Sequence, residues 1–534
     1  MAKRKPQPQL QTGAEPASTA EPSAVGSLVR DFGVWALVLF AVLAFLCTWG
    51  QFDFRDAMGY YGMFADALQK GHLYLDYTPD QVNLTDMIPY NGRYYFQWGP
   101  FPVLFHLALR MVGVRLTDRV FCLVVGWLTA LCFLGVIRTL GKRYFPEIPK
   151  SVYVWFLFCF ALGTPAALVT VRGVIYNESI GFASLCTLGA FWVFLGYQRK
   201  AEGVGAFGMG CLIAAAGLTR VSMILYAVPF FLALAIWERI EGRSNGTMLA
   251  RLALFSLPVL AAGGVHMVNN QERFGSPFDF GREYKPESIE NPDVKPFDMA
   301  CAPENFAHYF LALPRLSADF PYVAHEGWPG ATCAQRAEAS SSLILAGPFL
   351  LLGLFAWPLF RPGDAHPFEL RFAAWFAAAA GGMMLLIMMA FVAASRRYAQ
   401  DFLPLLMALV FLGFALLWQR GLDWKRWRIA AWAVFAWSAL FNINVPFYQS
   451  FYTPTPDLNV IRVFVKMKPT LDGIAPGPQL DEHAAIAAND LGSALLNERR
   501  LPEALEAFEK AAAWWPQNDK IRQNVELVRR MMGR

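Results

Sequence analysis

The chain has 534 residues, of which 56% are hydrophobic and only 16% charged. Soluble domains carry roughly 25% charged residues, so this composition excludes a disordered, fibrous or nucleic-acid-binding chain. It points instead to a multi-pass membrane protein, and the small net charge of +5 makes the placement of the charges more informative than their sum.

Residues 1–30 open Met1-Ala2-Lys3-Arg4-Lys5 and are otherwise rich in Pro, Gln, Ala and Ser, which predicts a disordered tail. A membrane-crossing helix needs about 20 apolar residues. Uncharged runs of this kind fall at 33–49, 119–138, 151–171, 178–197, 249–268, 343–360, 372–394, 402–418 and 429–447. A further run, 205–237, is broken only by Arg220. As one helix it would be about 50 Å long, well beyond a ~30 Å hydrocarbon core. Two short helices meeting near Arg220 fit better, and the total becomes eleven crossings. The stretch 101–114 is too short to cross and carries His106 and Arg110, so it reads as a helix lying at the membrane surface. The expected fold is all-α: a bundle over 31–447 with large outward loops at 50–118 and 269–342.

Lys and Arg concentrate on the cytoplasmic side of short loops. With eleven crossings the N-terminus falls there, together with Arg138, Lys142, Arg143, Lys150, Arg199, Lys200, Arg239, Arg243, Arg251, Arg361, Arg371, Arg420, Lys425, Arg426 and Arg428. The opposite face receives both large loops, the turns 172–177 and 395–401, the Arg220 break and the tail 448–534. No small-residue cleavage site follows 33–49, so this segment reads as an anchor. Cys301 and Cys333 both lie in 269–342, where an oxidising compartment would favour a disulfide between them.

The first outward loop begins Gln51-Phe52-Asp53-Phe54-Arg55-Asp56-Ala57-Met58-Gly59, followed by a helical stretch to about Gln69 and a stop at Gly71. Asp56 stands at the helix start, either as an N-cap or as a general base at the interface. Asn91-Gly92 marks a turn. The residues after it, Arg93 and Tyr94 through Trp98-Gly99-Pro100, read as an interfacial belt or as a wall for a sugar or lipid headgroup. Arg172 and Glu178 flank one outward turn; Arg396, Arg397, Tyr398 and Asp401 occupy another. Ionisable groups at membrane depth suggest function, and guanidinium forks suit phosphate oxygens. Mutual ion pairs, snorkelling and capping would satisfy the same residues. What stands out jointly is one carboxylate and several guanidiniums converging on one face.

Taken together, these segments resemble the polyprenyl-phosphate-sugar glycosyltransferases of the GT-C superfamily, in particular its bacterial family 39 and lipopolysaccharide-type branch. The residues that carry the likeness are the Asp56 loop through Gly71-His72, Asn91-Gly92-Arg93-Tyr94-Tyr95 with Trp98-Gly99-Pro100, Gly217-Leu218-Thr219-Arg220, Arg273-Phe274-Gly275-Ser276-Pro277, and Arg396-Arg397-Tyr398-Ala399-Gln400-Asp401. The resemblance implies an inverting transfer from a lipid-linked sugar to an acceptor hydroxyl on a lipid, glycan or protein, at the periplasmic face of a bacterial inner membrane. It implies Asp56 as the base, with Asp53 as a rival, and Arg220, Arg396 or Arg397 on the phosphate. Glu178 and Tyr398 would contact the sugar. Many members have Asp-Glu where this chain has Asp56-Ala57. A metal held by Asp53 and Asp56 is a weak alternative, and no metal or other cofactor is expected.

The tail divides into a linker, 448–480, and a charged helical unit, 481–534. Leu491, Gly492, Ala504, Phe508, Ala511 and Pro516 match the spacing of a tetratricopeptide repeat, with helices at about 484–497, 502–514 and 518–532. A single repeat cannot bury its own face, so it must lean on the membrane domain, on a second copy or on a partner protein. A transporter with a docking tail, or a non-catalytic assembly protein, would share much of this outline. A transporter would carry charged residues near helix centres and inverted repeats, which this sequence does not display. The topology is open to direct test: a compartment-sensitive reporter fused after Arg534 should be active only on the outer face, and a cytoplasmic signal would refute the eleven-crossing count.

Overall fold

The computed structural model describes residues 24–533 apart from 56–58, 77–86, 292, 317–321, 329–339, 364, 452–456 and 474–476. Helix α1 (Ala24–Cys47) begins earlier than the composition suggests, so the expected disordered tail 1–30 is wrong over its last turns. Leu28 packs against the membrane core, which explains the extension. Among the described residues, the first large loop holds α2 (Tyr60–Gln69), three short strands and α3 (Val103–Met111). The strands β1 (Tyr74–Leu75), β2 (Met87–Tyr90) and β3 (Arg93–Phe96) form an antiparallel sheet in the order β1-β3-β2. Asn91 and Gly92 make the turn between β2 and β3, with φ of 49° and 73°.

The bundle continues with α4 (Asp118–Tyr144), α5 (Lys150–Gly163), α6 (Ala166–Val171), α7 (Ile175–Tyr197) and α8 (Gly203–Thr219). A 3₁₀ turn, Val221–Tyr226, leads into α9 (Ala227–Ile240), and α10 (Asn245–Phe274) follows. The second large loop contains the short helices α11 (Pro286–Glu290) and α12 (Ala302–Phe306) and the strand pair β4 (Arg315–Leu316) and β5 (Val323–Ala324). Next come α13 (Leu343–Ala346), a 3₁₀ segment at Pro348–Phe360, α14 (Phe368–Ala390), α15 (Leu403–Gln419) and α16 (Trp424–Phe451). Among the described residues, seven helical stretches are long and apolar enough to cross a membrane, and four shorter apolar helices accompany them. They coincide with the ten uncharged runs, the run 205–237 supplying two of them, and the protein is a multi-pass helical membrane protein. Backbone polar groups in hydrocarbon must be bonded internally, which is why helices carry these runs. The core is aromatic: Phe133 stacks on Phe160 at 4.5 Å, and Phe156 meets Phe411 and Phe414 edge to face.

The tail comprises α17 (Leu458–Asp472), α18 (Pro478–Asn497), α19 (Leu501–Trp514) and α20 (Asp519–Met531). The expected linker 448–480 is therefore mostly helix. Ile461, Phe464, Val465 and Leu471 recur at helical spacing and are buried with Ala488, Leu495, Phe508 and Val525 in a core of the tail's own. Tyr322 of the second loop and Phe447 of α16 pack against that core, so the tail leans on the membrane domain.

The loop Trp98–Phe101 is held against the end of α8, where Gly99 N donates to the Thr219 carbonyl at 3.2 Å and Phe101 N to the Leu218 carbonyl at 3.3 Å. A Cβ at Gly99 would stand 2.0 Å from the Leu218 carbonyl oxygen, so glycine is required by close approach. Gly99→Ala should separate these backbones and lower stability by about 1–3 kcal/mol, seen as a reduced unfolding temperature of the purified protein in detergent.

Candidate active site at the helix breaks

Helix α8 ends at Thr219, and Arg220 takes an extended conformation before the 3₁₀ turn. The apolar run is thus two helices with Arg220 at their junction, as its length predicts. The Arg220 guanidinium donates from Nη2 to Asp401 Oδ2 at 2.7 Å and lies 5.3 Å from the Tyr398 ring centre. Asp401 is buried, and its backbone carbonyl accepts the Tyr226 hydroxyl at 2.6 Å. It does not cap α15, whose N-cap position belongs to Phe402. The pair ties the break after α8 to the turn between α14 and α15.

A cavity of about 760 Å³ opens at this junction. Gln97 and Trp98 of the first loop form one wall, and Tyr176 and Ile180 of α7 another. Phe391, Val392, Ser395, Arg397 and Tyr398 come from the α14–α15 turn, and Phe280, Arg282, Lys285 and Glu290 from the second loop. Arg397 is buried, with its guanidinium 4.2 Å from the Tyr176 ring centre and 5.4 Å from that of Tyr398. Among the described residues, Arg220, Arg282, Lys285 and Arg397 therefore share one aromatic-walled cavity with one carboxylate, Glu290. Such a site suits a ligand with both anionic oxygens and a ring face.

Of the residues singled out in the sequence, Arg220, Arg397 and Tyr398 line this cavity, and Asp401 orients Arg220. Arg396 does not line it: it is 1% exposed and donates to the Ser341 carbonyl at 2.8 Å and to Asn442 Oδ1 at 2.8 Å. Reading Arg396 as a phosphate ligand is corrected on that ground. Arg93 and Tyr94 belong to β3, with Arg93 exposed over the Tyr74 ring at 4.3 Å and Tyr94 packed in the loop's own core. Arg172 donates to Gln449 Oε1 at 3.0 Å, outside the cavity lining. Glu178 is not part of the cavity lining and meets His106 Nε2 at 2.8 Å. Cys301 is described, whereas Cys333 is not, so the expected disulfide lies outside the described residues.

Asp56 also lies outside the described residues. The N-cap position of α2 is Gly59, with φ 64°. Asp53 is gripped by Arg55 Nη2 at 2.6 Å and Arg462 Nη1 at 2.8 Å. Arg55 and then Arg462 hold its carboxyl well below the usual carboxylate range. A carboxylate so held is a poor proton acceptor and presents few open oxygens to a metal, which weakens both alternative roles of Asp53.

Among the described residues one group of three could hold a metal ion: His106, Asp118 and Glu178, all buried, with ligand atoms within 4.8 Å of one another. His106 is stacked between Tyr61 at 5.8 Å and Phe121 at 5.7 Å. The group joins α3, α4 and α7 beneath the first loop. Sequence reasoning missed it because its members are far apart in the chain. It also missed Arg282 and Lys285, whose only signal was a pair of cations three residues apart in an outward loop.

No protein-family model and no curated protein matches the chain. Solved structures do. The chain is similar to ArnT from Cupriavidus metallidurans bound to undecaprenyl phosphate, at 14% identity over 96% of this chain and 78% of that one, with a TM-score of 0.43. It is also similar to the Archaeoglobus fulgidus oligosaccharyltransferase in the apo form, at 14% identity over 83% of this chain and 60% of that one, with a TM-score of 0.42. For AglB from Archaeoglobus fulgidus in complex with an inhibitory peptide and a dolichol-phosphate, the identity is 14%, the coverage 84% and 60%, and the TM-score 0.45. The chain thus spans 60% of the length of the oligosaccharyltransferase. At this identity and overlap neither residue roles nor substrates transfer.

The Arg220–Asp401 pair yields a prediction. Arg220→Met leaves a buried carboxylate without its cation and should cost about 3 kcal/mol or more. The double variant Arg220→Met/Asp401→Leu should recover part of that loss in denaturation measurements.

Proposed function

We propose that this protein is a membrane glycosyltransferase that moves a sugar from a polyprenyl-phosphate donor to an acceptor hydroxyl on the periplasmic face, with inversion. The observation that carries this reading is the cavity at the helix breaks, where Arg220, Arg282, Lys285 and Arg397 meet Trp98, Tyr176 and Tyr398. Cations there suit the phosphate, and aromatic faces suit the sugar. An apolar groove of about 970 Å³ adjoins it, lined by Leu225, Phe297, Met299, Gly382, Met383 and Leu386 among others. Pro296 and Phe391 of the cavity are followed and preceded in the chain by Phe297 and Ala390 of the groove. A donor with a charged head and a hydrocarbon tail matches that adjacency.

In this reading Asp56 takes the proton of the acceptor hydroxyl as its oxygen attacks the anomeric carbon. The bond from that carbon to the phosphate oxygen breaks, and the polyprenyl phosphate departs with the electron pair. Arg220 and Arg397, fixed by Asp401 and by two tyrosine rings, stabilise the charge gathering on the phosphate. Arg282 and Lys285 close the cavity from the second loop. The donor's tail keeps it in the bilayer, which accounts for an enzyme built inside a helix bundle. The tail helices add a surface that a partner or acceptor protein would use.

The test is transfer from labelled polyprenyl-phosphate sugars in membranes. Asp56→Asn should lower turnover about 10²-fold or more, and Arg397→Ala about 10²-fold. Wild-type membranes inert toward every such donor, or normal transfer by Asp56→Asn, would defeat the proposal.

A further inference from the structure

The C-terminal helices contact the segment that runs from the end of α1 to Arg55. Arg119, in the first turn of α4, is 4% exposed. It donates to both carboxylate oxygens of Asp457, the N-cap of α17, at 3.1 Å each. The same guanidinium donates to the carbonyl of Cys47 and, at 3.4 Å, to that of Arg55. One buried side chain thus joins the end of α1, the loop after it and the tail.

Four more contacts reach the same segment. Arg462 Nη1 donates to Asp53 Oδ2 at 2.8 Å, and Asn459 Nδ2 to the Asp53 carbonyl at 2.8 Å. Lys466 Nζ donates to Gln51 Oε1 at 3.0 Å, and Arg55 Nη1 to Glu498 Oε1 at 2.6 Å. The backbone between them is strained. Trp49 and Phe52 have φ of 50° and 54°, a left-handed conformation that bulky residues keep only where their surroundings impose it. Trp49 packs edge to face on Phe447 of α16 at 5.0 Å.

We propose that the C-terminal helices act as a clamp on residues 49–55, so that Asp457, Arg462 and Glu498 are positioning residues for the base that follows in the chain. The proposal rests on the reading of Asp56 as that base. Buried, bidentate Arg119–Asp457 fixes the tail, and Arg462 and Glu498 pass that constraint to Asp53 and Arg55. A catalytic group displaced by about 1 Å loses roughly 10²-fold in rate, so the tail would act on turnover and not on donor binding. None of the clamp residues lines the cavity.

The test uses the full-length protein in detergent with Arg462→Gln, Asp457→Asn and Glu498→Gln, and Arg462→Lys as the conservative variant. Hydrogen exchange over 49–55 should quicken about tenfold in Arg462→Gln and Asp457→Asn. With a labelled polyprenyl-phosphate sugar, kcat should fall about tenfold or more while donor KM stays within about twofold. Arg462→Lys should keep most of the protection and the turnover. Unchanged exchange over 49–55 would overturn the clamp, and faster exchange with unchanged kcat would overturn its positioning role. If the wild type transfers no sugar, the reading of Asp56 falls, while exchange still decides whether the tail restrains the loop. Should Asp457→Asn fail to fold, the less buried Arg462 and Glu498 carry the comparison.

Discussion

The ion pair between Arg220 and Asp401 is the contact on which the arrangement of this end of the bundle depends. A guanidinium and a carboxylate inside an apolar bundle are costly apart and tolerable together. Their pairing makes two interruptions of the helix bundle mutually necessary: the junction after α8 and the turn before α15. Non-helical backbone at membrane depth is acceptable only where protein or a cavity meets its polar groups. Here the loop around Gly99 bonds the end of α8 on one side, and the cationic cavity opens on the other. The breaks, the bound loop and the cavity are consequences of one another.

A second polar centre stands apart from the first. Arg119 collects the end of α1, the start of the first loop and the tail, as Arg220 collects the cavity walls. The two centres separate two demands on a transferase of this proposed kind. In the proposed reaction one would gather fixed charge for a phosphate, and the other would fix the backbone near the proposed base. Electrostatic stabilisation and alignment then rest on different side chains, and a change in one need not disturb the other.

Much of the bundle was legible in the sequence because hydrocarbon imposes a simple rule: about 20 uncharged residues per crossing. The break at Arg220 followed from length alone, and Asn91-Gly92 announced its turn by the dihedral angles these residues tolerate. The helix α17 was obscured because its apolar stripe is interleaved with Arg462, Lys466 and Lys468, which composition counts as linker. Sequence could not separate Arg396 from Arg397. The two are adjacent in one 3₁₀ turn, and only the packing decides that one faces Ser341 and Asn442 while the other faces the cavity. Sequence left Asp53 as a rival to Asp56, because its partner Arg462 comes from the far end of the chain.

That distance has a consequence for biosynthesis. Arg462 follows Asp53 by 409 residues, and Asp457 follows Arg119 by 338. Contacts of such separation form late, and chains fold from their N-terminal side while they are being made. A ribosome-bound intermediate can have its first helices inserted while the loop beside Cys47 is still unrestrained. The stretch 49–55 gains its tail contacts only when the final helices arrive, so a prematurely terminated chain would occupy the membrane with that stretch unclasped.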